Sequence, residues 1–182
     1  MGKSKFPLPK NEILYNSVET QFGWIAFAVS PKGLLQTKFM FKTEKLALDS
    51  LLEKKSNFTP DSKEFLSKWK NLFVKYFKGK IQDISCVPLD IDRWSSFQKK
   101  VYSKTLKIPF GKKYTYGHIA ASINKPKASR AVGMAMKVNP VAPIVPCHRI
   151  VGANNVHYGF SANGGIDLKV KMLDMEKKIY FK

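Results

Sequence analysis

Residues 114–137 read YTYGHIAASINKPKASRAVGMAMK, and this stretch carries the clearest structural pattern in the chain. Residues 114–123 are helix-like, and the Asn-Lys-Pro sequence at 124–126 interrupts them because proline cannot continue a helix. Residues 128–137 predict a second helix. Two short helices joined by a tight break are typical of a helix-turn-helix, a motif that binds DNA. Other short helical hairpins share the pattern, so the pattern alone does not identify a DNA-binding motif.

The second predicted helix is rich in small residues. Small side chains allow a helix backbone to approach DNA closely, and a glycine such as Gly133 otherwise costs a helix interior roughly 1 kcal/mol. Arg130, near the start of this helix, is long enough to reach into a groove or a base stack. A surface salt bridge of Arg130 and a packing role for Gly133 explain the same residues equally well.

The charge of the chain is strongly uneven. The net charge is +19, with 15 Lys+Arg against 10 Asp+Glu in residues 1–92 and 17 against 3 in residues 93–182. A second half that carries +14 favours a polyanionic partner, most simply nucleic acid. A lysine-rich solvated surface is the alternative. No apolar run approaches the roughly 20 residues of a membrane span, so no membrane partner is expected.

The first half reads as strands followed by helices. Residues 22–29 form an aromatic and β-branched run, Ser30-Pro31-Lys32-Gly33 supplies a turn, and residues 34–41 predict the partner strand of a hairpin. Thr43 is placed to cap a following helix, and apolar spacing predicts another helix over residues 62–77. The pattern changes after residues 86–92, which read as a connector. Ser95 then starts another capped helix.

Residues 144–152, IVPCHRIVG, contain the most reactive side chains of the second half. Cysteine reacts as the thiolate, so Cys147 needs a base or a positive neighbour, and His148 and Arg149 follow directly. In an extended strand, however, Cys147 and His148 point to opposite faces. Either the chain turns sharply here or a water molecule links thiol and imidazole. A carboxylate that orients the histidine would come from the last predicted helix, which holds Asp167, Asp174 and Glu176.

Three other interpretations of Cys147 remain open at this point. Zinc needs about four ligands, and one Cys with one His falls short. A cysteine hydrolase has the required residue types but leaves the basic half without a role. A buried structural cysteine is the commonest fate of a single cysteine. Neither Cys86 nor Cys147 lies in a CxxC pair, which favours a reducing, intracellular compartment.

The sequence closely resembles the O6-alkylguanine-DNA alkyltransferases, also called methylated-DNA–protein-cysteine methyltransferases. The string Asn-Pro-Val-Ala-Pro-Ile-Val-Pro-Cys-His-Arg-Ile-Val-Gly at residues 139–152 is similar to their active-site signature, in which PCHR with an upstream Asn-Pro is highly specific. The resemblance covers the whole second half. Its other segments are residues 97–111, 114–120 and 129–133, and Gly164-Gly165-Ile166 followed by Lys169, Leu173 and Glu176. In the first half only GWIAFAVSPKGL is similar.

The resemblance implies a role for each matched position. Cys147 would accept the alkyl group from guanine O6, and His148, oriented by Glu176, would take the thiol proton through a water. Tyr116 would donate a proton to the departing guanine. Asn139 would join the recognition helix to the active-site segment, and the carbonyls of Cys147 and Ile150 would bind the exocyclic amine of the guanine.

DNA contact is implied for the helix-turn-helix, which in this family enters the minor groove. Arg130 would fill the stack after the nucleotide is flipped out. The other expected DNA-contacting residues are Lys127, Ala128, Ser129, Ala131 and Gly133. Either Tyr158 or Phe160 would line the substrate pocket, because residues 158–164 are longer than in the commonest family version. Pro143 stands where an aliphatic residue is more usual.

The resemblance also sets the overall expectations. The protein would have two α/β domains, a ribonuclease-H-like domain at 1–88 and a winged-helix-like, helix-turn-helix domain at 93–182. It would repair DNA by irreversible, single-use transfer of alkyl groups from O6-alkylguanine, and from O4-alkylthymine. It would act as a monomer on double-stranded DNA, largely independently of sequence, inside the cell. No cofactor and no metal site is expected. The runner-up is a module that binds alkylated DNA without chemistry.

Overall fold

The computed structural model describes residues 12–53, 57–80, 83–85, 87–156 and 159–180. The chain divides into two units, Met1–Asp90 and Ile91–Lys182. The fold is of the mixed α/β kind, with helices in both units and a four-stranded sheet in the first. No helix in the described ranges is long and apolar enough to cross a lipid bilayer.

A four-stranded sheet with two helices forms the first unit. The order of its strands is β3-β2-β1-β4; β1, β2 and β3 are antiparallel, and β4 pairs parallel to β1. The elements are β1 Ile13–Thr20, β2 Gly23–Ser30, β3 Gly33–Phe41, α1 Glu44–Leu52, β4 Phe58–Pro60 and α2 Ser67–Phe77. The predicted hairpin is therefore present as β2 and β3. Its turn ends at Gly33, where φ is +135° and a Cβ would lie 2.4 Å from the Pro88 carbonyl group.

Strand β2 is buried on both faces, which explains why its sequence is continuously apolar rather than alternating. Ala26 and Ala28 pack against Ala47 and Leu51 of α1, and Phe27, on the opposite face, packs against an aromatic ring of α2 at a centroid distance of 5.1 Å. Two helices thus cover the two faces of one central strand.

Helix α1 begins as the sequence indicates, since the Thr43 side chain accepts a hydrogen bond from the Leu46 amide. The prediction of a helix over residues 62–77 is wrong at its start, because α2 begins only at Ser67. The Asp61 carboxylate accepts hydrogen bonds from the amides of Phe65 and Leu66 at 2.9 and 2.8 Å, and these bonds hold the preceding segment outside the helix.

Helices and one short parallel strand pair make up the second unit. The elements are α3 Ser96–Thr105, β5 Tyr114–Thr115, α4 Tyr116–Ser122, α5 Ser129–Lys137, β6 Ile150–Val151 and α6 Gly165–Tyr180, with 3-10 turns at Cys147–Arg149 and Ala153–Asn155. Helix α3 starts with a complete capping box, in which Ser95 and Gln98 each bond to the backbone of the other.

The helix-turn-helix pattern is present as α4 and α5, with one correction at its start. Tyr114 and Thr115 belong to β5, which pairs with β6, and the Thr115 hydroxyl caps α4 by accepting from the His118 amide at 3.0 Å. The first helix is therefore shorter than residues 114–123. It ends at Ser122, and Asn124, two residues further on, has a left-handed φ of 58° that prevents the helix from continuing.

An extended strand through residues 144–152 is not formed. Cys147–Arg149 is a 3-10 turn, and only Ile150–Val151 is extended. The Arg149 amide donates to the Pro146 carbonyl at 2.9 Å, which closes the turn. The sharp turn that the sequence allowed is therefore formed, and a water link between the thiol and the imidazole stays a prediction.

Candidate active site

Cys147 lies in a segment tied to the end of α5. The Asn139 side chain donates to the Val145 carbonyl at 2.8 Å and accepts from the Val141 amide at 3.1 Å. Asn139 follows α5 closely, so its amide group fixes the approach to Cys147 relative to that helix. The Cys147 side chain is buried, with the residue 5% exposed. Its thiol is therefore almost fully shielded from solvent.

Behind the cysteine, three charged or polar side chains form one buried network. His148 Nε2 lies 2.8 Å from Glu176 Oε1. The Arg149 Nε donates to Glu176 Oε2 at 2.9 Å and its Nη2 donates to Oε1 at 2.9 Å, while Nη1 donates to the Ile108 carbonyl at 2.7 Å. The Gly111 amide donates to Glu176 Oε2 at 3.0 Å. Both carboxylate oxygens are thus held by donors from two segments of the chain, residues 148–149 and Gly111.

The network sets the charge states of its members. Burial alone would raise the pKa of Glu176, but its bonds to His148 and Arg149 hold that pKa well below the usual range, so Glu176 is ionised. Burial lowers the pKa of His148 against the opposing effect of Glu176, so the imidazole is neutral at pH 7. Because Nε2 faces a carboxylate, it carries the proton. Nδ1 is then the nitrogen with basic character.

Burial raises the pKa of the Cys147 thiol, and a side-chain hydrogen bond with Asn139 and the charge of Lys169 oppose that rise. The resting thiol is therefore protonated at neutral pH. Lys169 is 1% exposed, and its Nζ donates to the Ile150 carbonyl at 2.5 Å and lies 6.0 Å from the Tyr116 ring centroid. Burial lowers the pKa of Lys169.

The sequence indicated Arg149 only as a positive neighbour of the thiol and gave Lys169 no role, but the structure buries both close to Cys147. Lys169 and Glu176 both lie on the buried side of α6, together with apolar Leu168 and Met172. A charged residue at an apolar-face position of a helix is the signal that points to Lys169, since such charges are buried only when paired; Arg149, in a 3-10 turn, shows no such pattern.

A cavity of about 820 Å³ opens beside α5. A narrow crevice of about 20 Å³ reaches Cys147 and Lys169 and shares walls with the cavity. The lining that the two have in common is Tyr116, Gly133, Lys137, Gly159, Phe160 and Ser161. Phe160 thus lines the path to the thiol; Tyr158 lies outside the described residues.

The residues expected to contact DNA are only partly brought together at this cavity. Ser129, Arg130 and Gly133 line it. Lys127 and Ala131 are exposed and Ala128 is half-buried, all outside the cavity wall. Arg130 is exposed and forms no ion pair with any residue that the structure describes, so the surface salt bridge considered for it is absent from that part of the chain.

The two carbonyl groups expected to bind the guanine amine each accept one bond within the protein. The Ile150 amide donates to the Cys147 carbonyl, and Lys169 donates to the Ile150 carbonyl. A carbonyl oxygen has two lone pairs, so each retains capacity for a second donor. Within the described ranges, no three His, Cys, Asp or Glu side chains lie close enough to hold a metal ion.

Comparison with known proteins gives consistent matches. A family model described as "6-O-methylguanine DNA methyltransferase, DNA binding domain" matches residues 96–178. The methylated-DNA–protein-cysteine methyltransferase of Methanosarcina acetivorans is 36% identical over 165 residues, which are 89% of this chain and 97% of the relative. The protein of the same name from Mycobacterium tuberculosis is 34% identical over 165 residues, 91% of this chain and 93% of the relative.

Solved structures with the same architecture include the M. tuberculosis OGT in complex with DNA. It superposes with a TM-score of 0.73 at 33% identity and covers 91% of this chain and 94% of its own. The O6-methylguanine-DNA methyltransferase from Pyrococcus kodakaraensis has a TM-score of 0.67 at 23% identity, over 90% and 98% of the two chains, which establishes likeness of fold.

Proposed function

The chain belongs to the methylated-DNA–protein-cysteine methyltransferase family, and from this premise we propose that it repairs DNA by transferring the alkyl group of O6-alkylguanine to Cys147. One observation carries the proposal. A buried thiol lies at the inner end of a crevice, directly followed in sequence by the imidazole of a His148–Glu176–Arg149 network. A structural cysteine needs no such network. The same chemistry extends to O4-alkylthymine.

The thiol is activated in place. Neutral His148 takes the Cys147 proton through a bridging water, and the ionised Glu176 stabilises the imidazolium that results. Lys169 stabilises the thiolate by its charge, and Asn139 does so by its hydrogen bond. The resting thiol is protonated, so the nucleophile forms only as this relay operates.

Transfer is a displacement at carbon. The Cys147 sulfur forms a bond to the alkyl carbon as the bond between that carbon and guanine O6 breaks, and its electron pair leaves with the guanine. Tyr116, in the wall shared by cavity and crevice, donates a proton to the departing base. The product is a thioether with no leaving group to reverse the step, so each molecule acts once.

Access to the thiol requires that the nucleotide leave the duplex, because a base within the stack cannot reach a buried atom. Arg130 borders the cavity and fills the vacated position in the stack. Phosphate contacts by lysines supply binding that does not depend on sequence. The remaining minor-groove contacts come from Lys127, Ala128, Ser129, Ala131 and Gly133.

The finer description of the two domains, the oligomeric state and the cellular location belong to the same proposal. We infer a ribonuclease-H-like first domain at 1–88, which the antiparallel β1–β3 meander with a parallel β4 supports. We infer a winged-helix-like second domain at 93–182, supported by the α4–α5 pair beside β5 and β6. The protein acts as a monomer and inside the cell, where its DNA substrate is.

The test is to incubate the protein with a duplex that contains O6-methylguanine and to weigh the peptide that contains Cys147. We expect that peptide to gain one methylene, in at most one equivalent per protein. Cys147→Ala should abolish the gain, and the peptide that contains Cys86 serves as the internal control because it should stay unmodified.

Each alternative gives a different result. A module that only binds damaged DNA would retard the duplex on a gel without any gain in mass. Demethylation of more than one equivalent of DNA per protein would contradict the single-use mechanism, and a gain on Cys86 would contradict the assignment of the nucleophile.

A further inference from the structure

The outward face of α5 carries a feature that the residues assigned above do not explain. Met134 is 60% exposed, the highest value among the large apolar side chains of the described ranges, and Val138, four residues further on, is 55% exposed. The opposite side of α5 holds Val132, Ala135 and Met136, which are buried. Met134 is therefore the most exposed large apolar side chain on a face that also carries the small residues Ser129 and Gly133.

Met134 lies one helical turn after Arg130, so the two side chains lie on the same face. Arg130 and Gly133 both line the cavity, which places the Met134 turn beside its mouth. A duplex whose extruded nucleotide reaches Cys147 while Arg130 fills the base stack must also cover the turn of α5 that carries Met134. A side chain that is exposed in the free protein then becomes buried in the complex.

The charges around Met134 favour DNA as the occupant of this face over a protein partner. Arg130 and Lys137 flank it and are exposed. The acidic residues of positions 93–182 are three, Asp167, Asp174 and Glu176, and all lie on α6. A second copy that docked through the same face would bring cations against cations, whereas phosphates complement them.

From this placement, and resting on the proposed function, we propose that Met134 is an apolar minor-groove contact that packs against the deoxyribose walls and base edges next to the extruded nucleotide. Apolar side chains inserted at the minor groove help to open base steps. A methionine suits the position because its unbranched, polarisable side chain adapts to an irregular surface. Met134 thus adds affinity that depends on shape rather than charge.

The contact has a signature that phosphate contacts lack. Loss of a lysine–phosphate contact reduces the slope of log Kd against log salt concentration by about 1, because fewer counterions are released. Loss of an apolar contact weakens binding at every salt concentration and leaves the slope unchanged. Met134 is exposed and alanine favours helices, so Met134→Ala should not impair folding.

The experiment measures Kd for an unmodified duplex by fluorescence polarisation at several salt concentrations. We expect Met134→Ala and Met134→Gln to bind about fivefold to tenfold more weakly with an unchanged salt slope, since part of an apolar side chain is no longer buried. Met134→Leu should restore binding. Lys137→Ala is the matched electrostatic variant and should reduce the slope, and Leu46→Ala, an exposed apolar residue on α1, should change nothing.

Three results would overturn the proposal. The first is that Met134→Ala binds DNA within twofold of the wild type. The second is that its loss of affinity is accompanied by a reduced salt slope. The third is that Met134→Ala changes the sedimentation of the free protein while its DNA affinity stays the same, which would indicate a protein interface. Because the duplex is unmodified, these outcomes are independent of methyl transfer. Failure of the proposed function would appear separately, as no gain in mass on the Cys147 peptide.

Discussion

Arg149→Met should be among the most damaging single substitutions in the second unit. Arg149 is 4% exposed and Glu176 is fully buried, so the variant leaves a buried carboxylate without the guanidinium that neutralises it. The variant also removes the bond to the Ile108 carbonyl. Breaking one partner of a buried ion pair costs about 3–5 kcal/mol. With a urea m-value of roughly 2 kcal/mol/M, the unfolding midpoint should fall by about 2 M.

The double variant Arg149→Met/Glu176→Leu separates stability from activity. It removes both charges, and buried pairs replaced by apolar residues are often neutral in stability. We expect the double variant to be more stable than Arg149→Met by at least about 1 kcal/mol. Its alkyl transfer should nevertheless be slower than that of the wild type, because His148 has lost its orienting carboxylate. The assays are urea unfolding followed by circular dichroism and single-turnover transfer from a methylated duplex.

The pH dependence of stability gives an independent check. The pKa of Glu176 is lower in the folded than in the unfolded protein, so its contribution to stability is present above the unfolded pKa of about 4.3 and is lost as the pH falls further. Arg149→Met should weaken this acid sensitivity. A midpoint change below about 0.5 M, or a double variant no more stable than the single one, would refute the ion-pair reasoning.

Three further predictions concern groups around the thiol. Lys169→Met should move the pH profile of Cys147 alkylation by iodoacetamide to higher pH, because the Lys169 charge lowers the thiol pKa; an unmoved profile would contradict this role. Arg130→Ala should slow repair of a duplex far more than reaction with a free alkylguanine base, and equal losses would exclude a base-flipping role. Asn139→Ala should lower the free energy of unfolding by about 1–3 kcal/mol in denaturant titrations, because two buried backbone groups lose their partner.

Local signals in the sequence predicted most of the elements. The helices α1 and α3 begin where side-chain caps were predicted, at Thr43 and Ser95. The break after α4 lies at Asn124, as predicted, where φ is left-handed. Each of these signals acts on backbone only a few residues away. Non-local pairings were not predicted. β4 and β5 are short strands that pair in parallel with distant segments, and only the partner shows that they are extended.

The helix over residues 62–77 illustrates the same limit. Its apolar spacing continues before Ser67, yet the Asp61 carboxylate bonds to two amides there and the helix begins late, at Ser67. Asp and Asn side chains compete with the backbone for such bonds, and periodicity does not register that competition. The contacts of Arg149 and Lys169 were not predicted for a related reason, since their partners lie far along the chain.

The placement of these two cations explains how a buried site tolerates thiolate formation. With Arg149 and Lys169 as cations, Glu176 as an anion, and a neutral thiol and imidazole, the formal charge around Cys147 is +1. Moving the thiol proton to His148 preserves that total, and exporting it to solvent brings the total to zero. No step therefore places net negative charge in a low-dielectric interior, where it would be strongly unfavourable. Replacement of either cation shifts every total by one unit, so Arg149 and Lys169 affect reactivity without bonding to the alkyl group.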